Sequence, residues 1–505
     1  MIDDKQIRKE ILLNNENVII LANAGSGKTT IMTNKMKNDL DNNKSHYTVA
    51  AVTFMNKAVK EIRDKLGKSY SNVFIGTNDS FVEKEIILPF VNDVYPGSGN
   101  LTVDYDRGFS SYEEGINLIK NESTIGVYEG RNIKGNFKFD LALEILENSE
   151  AASQYIKAKY FKIFIDEYQD SDQSMHRLFM WILDNLNIKL FIVGDEKQSI
   201  YKWRGAYPEN FVALATNKKF NYYQLTRNFR SHIDIQNFSN SLNPKTCDDI
   251  EVQESVHNVC LTATEDNMTQ ADSIIKLIES NHLDINKEIT VLINNNAAIK
   301  EFVTEINEYG YEFSFIPRTP IDGNYVNGMF LRELATFYFN ENYSEYDLIE
   351  SLLGEYTANN VIQLERILKR FNIESVNTIN LVDVIIELFV FFEITIDMRE
   401  VQALEETLTN AENRIAFNND RIKHKVMTVF SSKGLEFDQV ISFSDYYIGT
   451  NDYGEVRRWE DHYVCVTRAK ELLIMVVEDI EYAVEINKII KENTEFSLQN
   501  FARGI

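Results

Sequence analysis

The sequence is poor in cysteine, and its amino terminus shows no export signal. The 505 residues include three cysteines, Cys247, Cys260 and Cys465, which are widely spaced and form no metal-like pair. A secreted protein of this kind would carry a signal peptide and paired cysteines. We therefore expect a protein of the reducing cytoplasm.

Long hydrophobic runs are also missing. A membrane-spanning helix needs about 18–20 consecutive apolar residues, and the nearest stretch, 381–394, is interrupted by Asp383 and Glu387. We expect no membrane association. The six prolines form no proline-rich linker that would mark a domain boundary. The length suits two to four domains of about 100–200 residues each, and the 44% hydrophobic content allows sizeable cores.

Basic residues are outnumbered. The chain has 52 lysines and arginines against 77 aspartates and glutamates, which gives a net charge of −25. A protein that binds DNA over its whole surface should be basic. Any nucleic-acid binding must therefore be confined to a local channel, and the acidity leaves room for a partner that supplies part of the binding. Solubility in a bacterial-type cytosol explains the charge equally well.

What the chain does have is a phosphate-binding loop. Residues 22–29 read ANAGSGKT and lie between an apolar run at 17–21, typical of a buried strand, and a helical stretch at 30–40. This strand–loop–helix setting is the one that the motif requires. The first function indicated by the sequence is therefore nucleotide hydrolysis.

Each residue type in the loop has a physical reason. Gly25 and Gly27 let backbone N–H groups curl around phosphates, and the following helix N-terminus adds positive potential. Lys28 is predicted to reach the β- and γ-phosphates of ATP. The Thr29 hydroxyl is predicted to hold Mg²⁺.

A second signature follows an apolar strand at 161–165, which runs directly into Asp166 and Glu167. Ligands bind at the carboxyl edge of open α/β sheets, so these carboxylates are expected at a ligand site. Asp166 suits the Mg²⁺ shell, and Glu167 suits activation of the attacking water as a general base. Beyond a further strand, Gln198 is positioned to sense the γ-phosphate.

Two aromatic residues, Tyr201 and Trp203, lie within five positions after Gln198 in the chain. Stacking a base on an aromatic ring contributes about 1–3 kcal/mol without regard to sequence. This segment is therefore a candidate link between the ATP state and binding of a nucleic-acid strand. A core position for Trp203 is the alternative.

Apolar strand candidates recur along the chain and alternate with helical patterns, which favours an α/β fold with parallel sheets. The candidates lie at 48–54, 72–75, 161–165, 190–193, 221–225, 425–429, 440–444 and 472–477. Two regions, 83–160 and 325–418, are mostly helical and are interpreted as insertions into the α/β domains.

With these residues assembled, the chain resembles the UvrD/Rep/PcrA group of superfamily-one DNA helicases. The motifs of that family occur in order along nearly the whole chain: Gln6, AGSGKT (24–29), TFMNKA (53–58), GTNDSF (76–81), DEYQD (166–170), GDEKQSIYKWRGA (194–206), LTRNFRS (225–231), TVFSSKGLEF (428–437) and YVCVTRA (463–469).

The resemblance implies two RecA-like domains with ATP between them and movement along one DNA strand from 3′ to 5′. Domain 1A would comprise 1–82 and 161–219, and domain 2A would comprise 220–324 and 419–505. Residues 83–160 would form the helical insertion 1B, and residues 325–418 a reduced helical insertion 2B.

The resemblance also implies residue roles. ATP would be bound by Gln6, Ala24, Gly25, Ser26, Gly27, Lys28, Thr29, Thr30, Phe229 and Glu436, with Thr30 standing where the family often has an arginine. Hydrolysis would use Lys28, Asp166, Glu167, Gln198, Arg230 and Arg468, with Mg²⁺ held by Thr29 and Asp166. Single-stranded DNA would be contacted by Phe54, Asn56, Tyr201 and Trp203.

The compact length and several further segments resemble the helicase subunits of Gabija anti-phage systems. This implies a hetero-oligomeric complex with the OLD-family ATPase–Toprim nuclease GajA, activated by single-stranded or end-containing DNA. Two other functions remain open: a stand-alone DNA repair helicase, and a scaffold with an inactive ATPase fold, which the intact Lys28, Glu167, Gln198 and Arg468 argue against.

A weaker pattern lies in the first insertion, where Arg131, Lys134 and Lys138 interleave with Phe137 and Phe139. Basic and aromatic residues in alternation are typical of surfaces that bind single-stranded nucleic acid. The sequence allows either a DNA-facing strip or a solvated loop with a buried phenylalanine pair.

Overall fold

The computed structural model describes residues 4–54, 56–67, 70, 72–98, 101–129, 135–199, 205–243, 246–247, 250–265, 268–293, 295–323, 325–340, 343–353, 357–371, 381–417, 422–447 and 459–505. The chain divides into two compact units. Unit 1 comprises 1–21, 28–224 and 319–418, and unit 2 comprises 22–27, 225–318 and 419–505.

The strands are β1 Val18–Ala22, β2 Thr48–Thr53, β3 Phe74–Thr77, β4 Thr102–Phe109, β5 Thr124–Tyr128, β6 Tyr160–Ile165, β7 Lys189–Gly194, β8 Asn221–Leu225, β9 Val259–Ala263, β10 Ile289–Leu292, β11 Phe313–Phe315, β12 His424–Met427, β13 Phe437–Phe443, β14 Ala469–Val477 and β15 Arg503–Gly504.

The helices are α1 Asp4–Leu13, α2 Lys28–Asn42, α3 Asn56–Leu66, α4 Asn78–Val82, α5 Leu88–Val94, α6 Tyr112–Glu122, α7 Phe137–Asn148, α8 Glu150–Lys159, α9 Gln173–Leu186, α10 Pro208–Leu214, α11 Ile233–Ser241, α12 Gln270–Glu279, α13 Asn296–Glu308, α14 Gly328–Phe339, α15 Glu345–Leu353, α16 Ala358–Phe371, α17 Leu381–Phe391, α18 Met398–Thr409, α19 Arg414–Phe417, α20 Val429–Ser432, α21 Trp459–Val466 and α22 Ile480–Asn493.

The main sheet of unit 1 has the strand order β3-β2-β6-β7-β1-β8. The pairs β3–β2, β2–β6, β6–β7 and β7–β1 are parallel. All six residues of β2 are buried, as expected of a strand covered on both faces by crossover helices. The carboxyl ends of these parallel strands therefore lie at one edge of the sheet. Strand β1, which precedes the phosphate loop, and strand β6, which precedes Asp166 and Glu167, both end there.

The first insertion contains a small sheet that the sequence interpretation missed. Strands β4 and β5 pair in parallel and are joined through α6, whereas we expected this region to be mostly helical. The β4 sequence TVDYDRGF mixes polar and apolar residues without a clear alternation. Its buried members, Val103 and Phe109, join Ile125 of β5 in the core of unit 1.

The second insertion is helical, as the apolar runs predicted, and it belongs to compact unit 1. This insertion, which contains helices α14–α19, contacts segments from the first hundred residues of the chain. Lys60 on α3 pairs with Glu333 on α14, with Nζ and Oε1 3.3 Å apart. Lys84 donates to the Oδ1 of Asn327 at 3.0 Å. Residues more than 240 positions apart in sequence are thus neighbours in one unit.

Lys84 lies in a five-residue π-helix, Glu83–Ile87, between α4 and α5. A π-helix is rare and often marks a functional position. Its three consecutive charged side chains bond to three different segments: Glu83 to Lys138 on α7, Lys84 to Asn327, and Glu85 to Lys159 on α8. This short helix therefore ties both insertions to the end of α4.

Unit 2 is built on a seven-stranded sheet with the order β11-β12-β10-β13-β14-β9-β15. All six neighbouring pairs are parallel. Its core contains the apolar residues of β10, β13 and β14 together with the inner faces of α12 and α13. The predicted α/β class with parallel sheets is confirmed by both units.

Candidate nucleotide site

The loop between β1 and α2 has the backbone shape of a phosphate cradle. Gly25 and Gly27 have φ values of 70° and 81°, a region that residues with a side chain seldom adopt. A Cβ on Gly25 would also overlap the carboxamide of Asn228. The buried Ser26 hydroxyl donates to the carbonyl of Asn23 at 2.7 Å. Because α2 begins at Lys28, its free N–H groups follow the loop directly.

The acidic pair lies at the end of β6, as the sequence predicted. The Asp166 N–H donates to the Val52 carbonyl at 3.0 Å, and the Glu167 N–H donates to Asp166 Oδ1 at 2.9 Å. Glu167 has left-handed backbone angles, φ 52° and ψ 41°. The Lys28 Nζ lies 3.5 Å from Glu167 Oε2. Unit 1 thus brings together the predicted lysine and the predicted general base.

The electrostatics of Asp166 fit a cation site. Burial and, to a smaller extent, the negative charge of Glu167 raise the pKa of this carboxyl to about 7, against the opposing effect of Lys28. A divalent cation would reverse this balance because it favours the ionised carboxylate. The Thr29 hydroxyl and the Asp166 carboxylate are oxygen donors of the kind that Mg²⁺ prefers.

Mg²⁺ in such sites is commonly held by one or two carboxylates together with substrate phosphates. In the described ranges, histidine, cysteine and acidic side chains form no group of three or more with metal-binding geometry. The residues present therefore suit a metal that arrives with a nucleotide.

Two residues near Glu167 were not singled out from the sequence. The Gln169 Nε2 donates to Glu167 Oε2 at 2.6 Å, and the Gln169 Oε1 accepts from the Asp195 N–H at 2.9 Å. Asp195 in turn accepts from Gln198 Nε2 at 2.8 Å through Oδ2. Gln198 is connected to Glu167 by this chain of hydrogen bonds. The sequence signals for Gln169 and Asp195 were their places after buried strands and inside the motifs DEYQD and GDEKQSIYKWRGA.

In unit 2, a turn after β8 presents two predicted ATP-site residues. Asn228 Oδ1 accepts from the N–H groups of Arg230 at 2.7 Å and Ser231 at 3.1 Å, which fixes the turn. Arg230 Nε donates to Glu436 Oε2 at 2.6 Å. The Phe229 ring is 59% exposed and has the Arg227 guanidinium over it at 5.0 Å. An exposed ring beside cations suits stacking on a nucleobase.

Arg468 is nearly fully buried in the same unit. Its guanidinium donates to the carbonyls of Val464 at 3.0 Å and Leu435 at 2.9 Å, and to the Thr467 hydroxyl at 3.3 Å. These bonds connect β14 to α21 and to the segment before β13. The predicted phosphate arginine therefore also has a structural function, which its motif position did not reveal.

Four further predicted site residues lie in the described part of the chain. Gln6 is exposed on α1 and donates to Glu10 at 2.9 Å. Thr30 is exposed and accepts from Lys65. Phe54 is partly buried against the unit 1 core. Ala24 is buried.

Three of the four predicted DNA contacts cannot be placed. Tyr201, Trp203 and the side chain of Asn56 lie outside the described residues. Their roles stay predictions.

The prediction of a DNA-facing strip in the first insertion is wrong for the residues of that strip that the structure describes. Phe137 and Phe139 are 1% and 2% exposed, and Lys138 is buried with its Nζ 2.6 Å from Glu83 Oε1 and 3.0 Å from Asp79 Oδ1. The alternative is confirmed for the buried phenylalanine pair but not for a solvated loop, because residues 137–139 open α7 and Lys138 is buried. Arg131 and Lys134 lie outside the described residues.

A phosphate loop followed by a strand-end Asp–Glu pair and a linked glutamine defines a P-loop NTPase of the helicase type. The family model of the UvrD/REP helicase N-terminal domain matches residues 3–114 and 135–220, and that of the UvrD-like helicase C-terminal domain matches residues 425–476. Together with a full-length relative, these matches show that the chain belongs to the UvrD/REP helicase family.

That relative is the Gabija protein GajB of Bacillus cereus (strain VD045). It is 45% identical over 504 residues, which cover 99% of this chain and 100% of GajB. The ATP-dependent DNA helicase Rep of Buchnera aphidicola subsp. Schizaphis graminum is 27% identical over 296 residues, 46% of this chain and 43% of Rep. The ATP-dependent DNA helicase PcrA of Staphylococcus aureus (strain NCTC 8325 / PS 47) is 25% identical over 274 residues, 45% of this chain and 37% of PcrA.

The family resemblance inferred from the motifs is confirmed by these matches. Among the helices in the described ranges, none combines the length and the apolar composition needed to cross a bilayer.

Proposed function

We propose that this protein is an ATP-dependent 3′–5′ DNA helicase or DNA-stimulated ATPase that acts as the helicase subunit of a Gabija anti-phage complex. It would sense DNA ends or single strands and activate a partner nuclease of the OLD-family ATPase–Toprim type. The observation that carries the proposal is the match to GajB over 99% of the chain.

The described residues suit hydrolysis of a nucleoside triphosphate. Water would attack the γ-phosphorus as the bond to the leaving diphosphate breaks, and Glu167 would accept the proton from the water. Bound Mg²⁺ would supply charge neutralisation for the phosphates, with Thr29 and Asp166 as its protein ligands. Lys28, Arg230 and Arg468 would stabilise the charge of the transferring phosphoryl group, and Phe229 would stack on the base.

The reduced second insertion and the acidic surface favour a sensor over a processive motor. The proposed DNA contacts are few, and a net charge of −25 leaves room for a partner that supplies part of the binding. A second candidate, a stand-alone DNA repair helicase, is favoured by the similarity to Rep and PcrA.

The test compares ATP hydrolysis with strand displacement on the purified chain, using duplexes with 3′ or 5′ single-stranded tails. We expect DNA-stimulated hydrolysis, little unwinding by the chain alone, and any unwinding only from 3′ tails. Robust unwinding without a partner would support the repair-helicase alternative.

The matched variants are Lys28→Ala and Lys37→Ala, which change two lysines on the same helix. Lys28→Ala should abolish hydrolysis and protection of cells against phage, while Lys37→Ala should keep both. Co-purification with the neighbouring nuclease tests the complex. Phage protection that survives Lys28→Ala would contradict the ATP-driven defence function.

A further inference from the structure

The Gln169 carboxamide bridges the ends of two neighbouring strands. It follows β6 by four residues, and its Oε1 accepts from the N–H of Asp195, which comes directly after β7. Its Nε2 donates to the Glu167 carboxylate. The Gln169 side chain is fully buried. One amide therefore connects the proposed general base to the backbone of the adjacent strand.

Only one orientation of this amide satisfies both neighbours. A backbone N–H can only donate, so it requires the amide oxygen, and an ionised carboxylate can only accept, so it requires the amide NH₂. Glutamine is thus chemically specified at this position. A glutamate here would face the Glu167 carboxylate with a second acceptor, and an apolar residue would bond to neither partner.

The backbone of Glu167 increases the need for such a contact. Its left-handed conformation costs an L-residue about 1–2 kcal/mol, and such strain persists only where the surroundings hold it. Glu167 Oε2 is held from two sides, by Gln169 Nε2 at 2.6 Å and by Lys28 Nζ at 3.5 Å. The side chains of Gln169 and Lys28 therefore hold the Glu167 carboxylate in place on a strained backbone.

The bridge continues from Asp195 to Gln198. Asp195 caps a short 3-10 helix, Glu196–Gln198, and accepts from the N–H of Lys197 and from Gln198 Nε2. The Ser199 hydroxyl returns to the Gln169 carbonyl at 3.2 Å. Gln198 is thus bonded to Asp195, whose N–H is bonded to the amide that holds Glu167.

We propose that Gln169 is a positioning residue that sets the Glu167 carboxylate for attack by water and couples it, through Asp195, to Gln198. This inference rests on the proposed function, in which Glu167 is the general base and Gln198 senses the γ-phosphate. Gln169 itself touches no reacting atom. Its contribution lies in the rate of the chemical step and not in the affinity for ATP.

The first experiment measures kcat and KM for ATP, with and without saturating single-stranded DNA, in Gln169→Met. Methionine has a similar length and makes neither hydrogen bond. We expect kcat to fall by about 10- to 100-fold, the loss typical of a misplaced catalytic group, with KM for ATP changed by less than about twofold. Gln173→Met, on the exposed first turn of α9, is the matched control and should behave as the wild type.

A double-mutant cycle with Glu167→Gln separates positioning from general support of the fold. If Gln169 acts through Glu167, then Gln169→Met should cost little further rate once Glu167 is replaced. Single-turnover rates make the slow variants measurable. A purely structural role would instead give losses that multiply.

Gly194→Ala provides an independent perturbation if Gln169→Met fails to fold. A Cβ at Gly194 would lie 2.6 Å from Gln169 Oε1 and 2.8 Å from Cζ of Phe211, so the amide is displaced but not removed, and Tm measured beside kcat separates this displacement from the disturbance at Phe211. The same loss of kcat with unchanged KM is expected. A wild-type kcat in Gln169→Met, or losses that multiply in the double-mutant cycle, would overturn the inference about Gln169 and leave the proposed function standing. Hydrolysis that is insensitive to Lys28→Ala would overturn the proposed function itself.

Discussion

At the residue scale, the two arginines assigned to phosphate chemistry differ in what else they do. Arg230 has a partly exposed side chain and pairs with Glu436, which is half exposed. Arg468 is buried and its planar guanidinium donates to two carbonyls and a hydroxyl. A lysine keeps the positive charge in both places but cannot reproduce a planar set of donors.

We therefore predict that Arg468→Lys lowers both ATP hydrolysis and stability, whereas Arg230→Lys lowers hydrolysis alone. Each lost hydrogen bond contributes about 0.5–1.5 kcal/mol. Lysine can keep about one of the three bonds, so Arg468→Lys should destabilise unit 2 by about 1–3 kcal/mol. An exposed ion pair contributes only about 0–1 kcal/mol. Thermal unfolding and kcat are measured on both variants. Equal losses of Tm would contradict the structural role of Arg468.

At the element scale, most strands near the motifs were predictable from sequence, because fully buried parallel strands appear as continuous apolar runs. The predictions for β2 and β6 differ from the structure by one residue at one end, and β7 extends one residue further at each end. The β8 prediction matches the structure, although only Leu225 of this strand is buried. Strands β4 and β5 lacked such runs. The bridge through Gln169 could not be predicted, because it depends on β6 and β7 being neighbours in space.

The second insertion shows the same limit. Its helices followed from apolar runs, but the buried polar contact between Asn327 and Glu400 did not. Glu400 on α18 accepts from the Asn327 N–H at 2.8 Å and from its Nδ2 at 2.7 Å. Burial, with a smaller contribution from Asp397, raises the pKa of Glu400 to about 7, against the opposing effects of Asn327 and Lys84.

The raised pKa of Glu400 determines how the stability of the folded protein changes with pH. The folded protein keeps the Glu400 proton in a range where the unfolded chain has lost it, so the stabilising contribution is complete below pH 4.5 and is lost as the pH rises through about 7. We predict that Glu400→Gln lessens the fall in Tm between pH 5 and pH 8. Glu406→Gln, at an exposed position of α18, is the control. An unchanged slope in Glu400→Gln would refute the assignment.

At the scale of the whole molecule, the net charge of −25 limits how the chain binds DNA. For single strands, log K falls against log salt with a slope of about −0.7 for each neutralised phosphate. We predict that the chain alone neutralises about two to four phosphates, which gives a slope of about −1.4 to −2.8. Fluorescence anisotropy between about 50 and 200 mM salt measures this slope. Adding the nuclease partner should steepen the slope, and a slope steeper than about −5 for the chain alone would contradict the prediction.

The contacts of Lys84 and Lys60 also set an order of events during synthesis. Lys84 and its partner Asn327 are 243 positions apart, and Lys60 and Glu333 are 273 apart. Because a ribosome adds about 5–20 residues per second, Lys84 is synthesised roughly 12–50 s before Asn327. Unit 1 is therefore completed only after 225–318 has been translated. During that interval Lys60 and Lys84 lack their partners from the second insertion, and a product truncated before residue 319 would never acquire them.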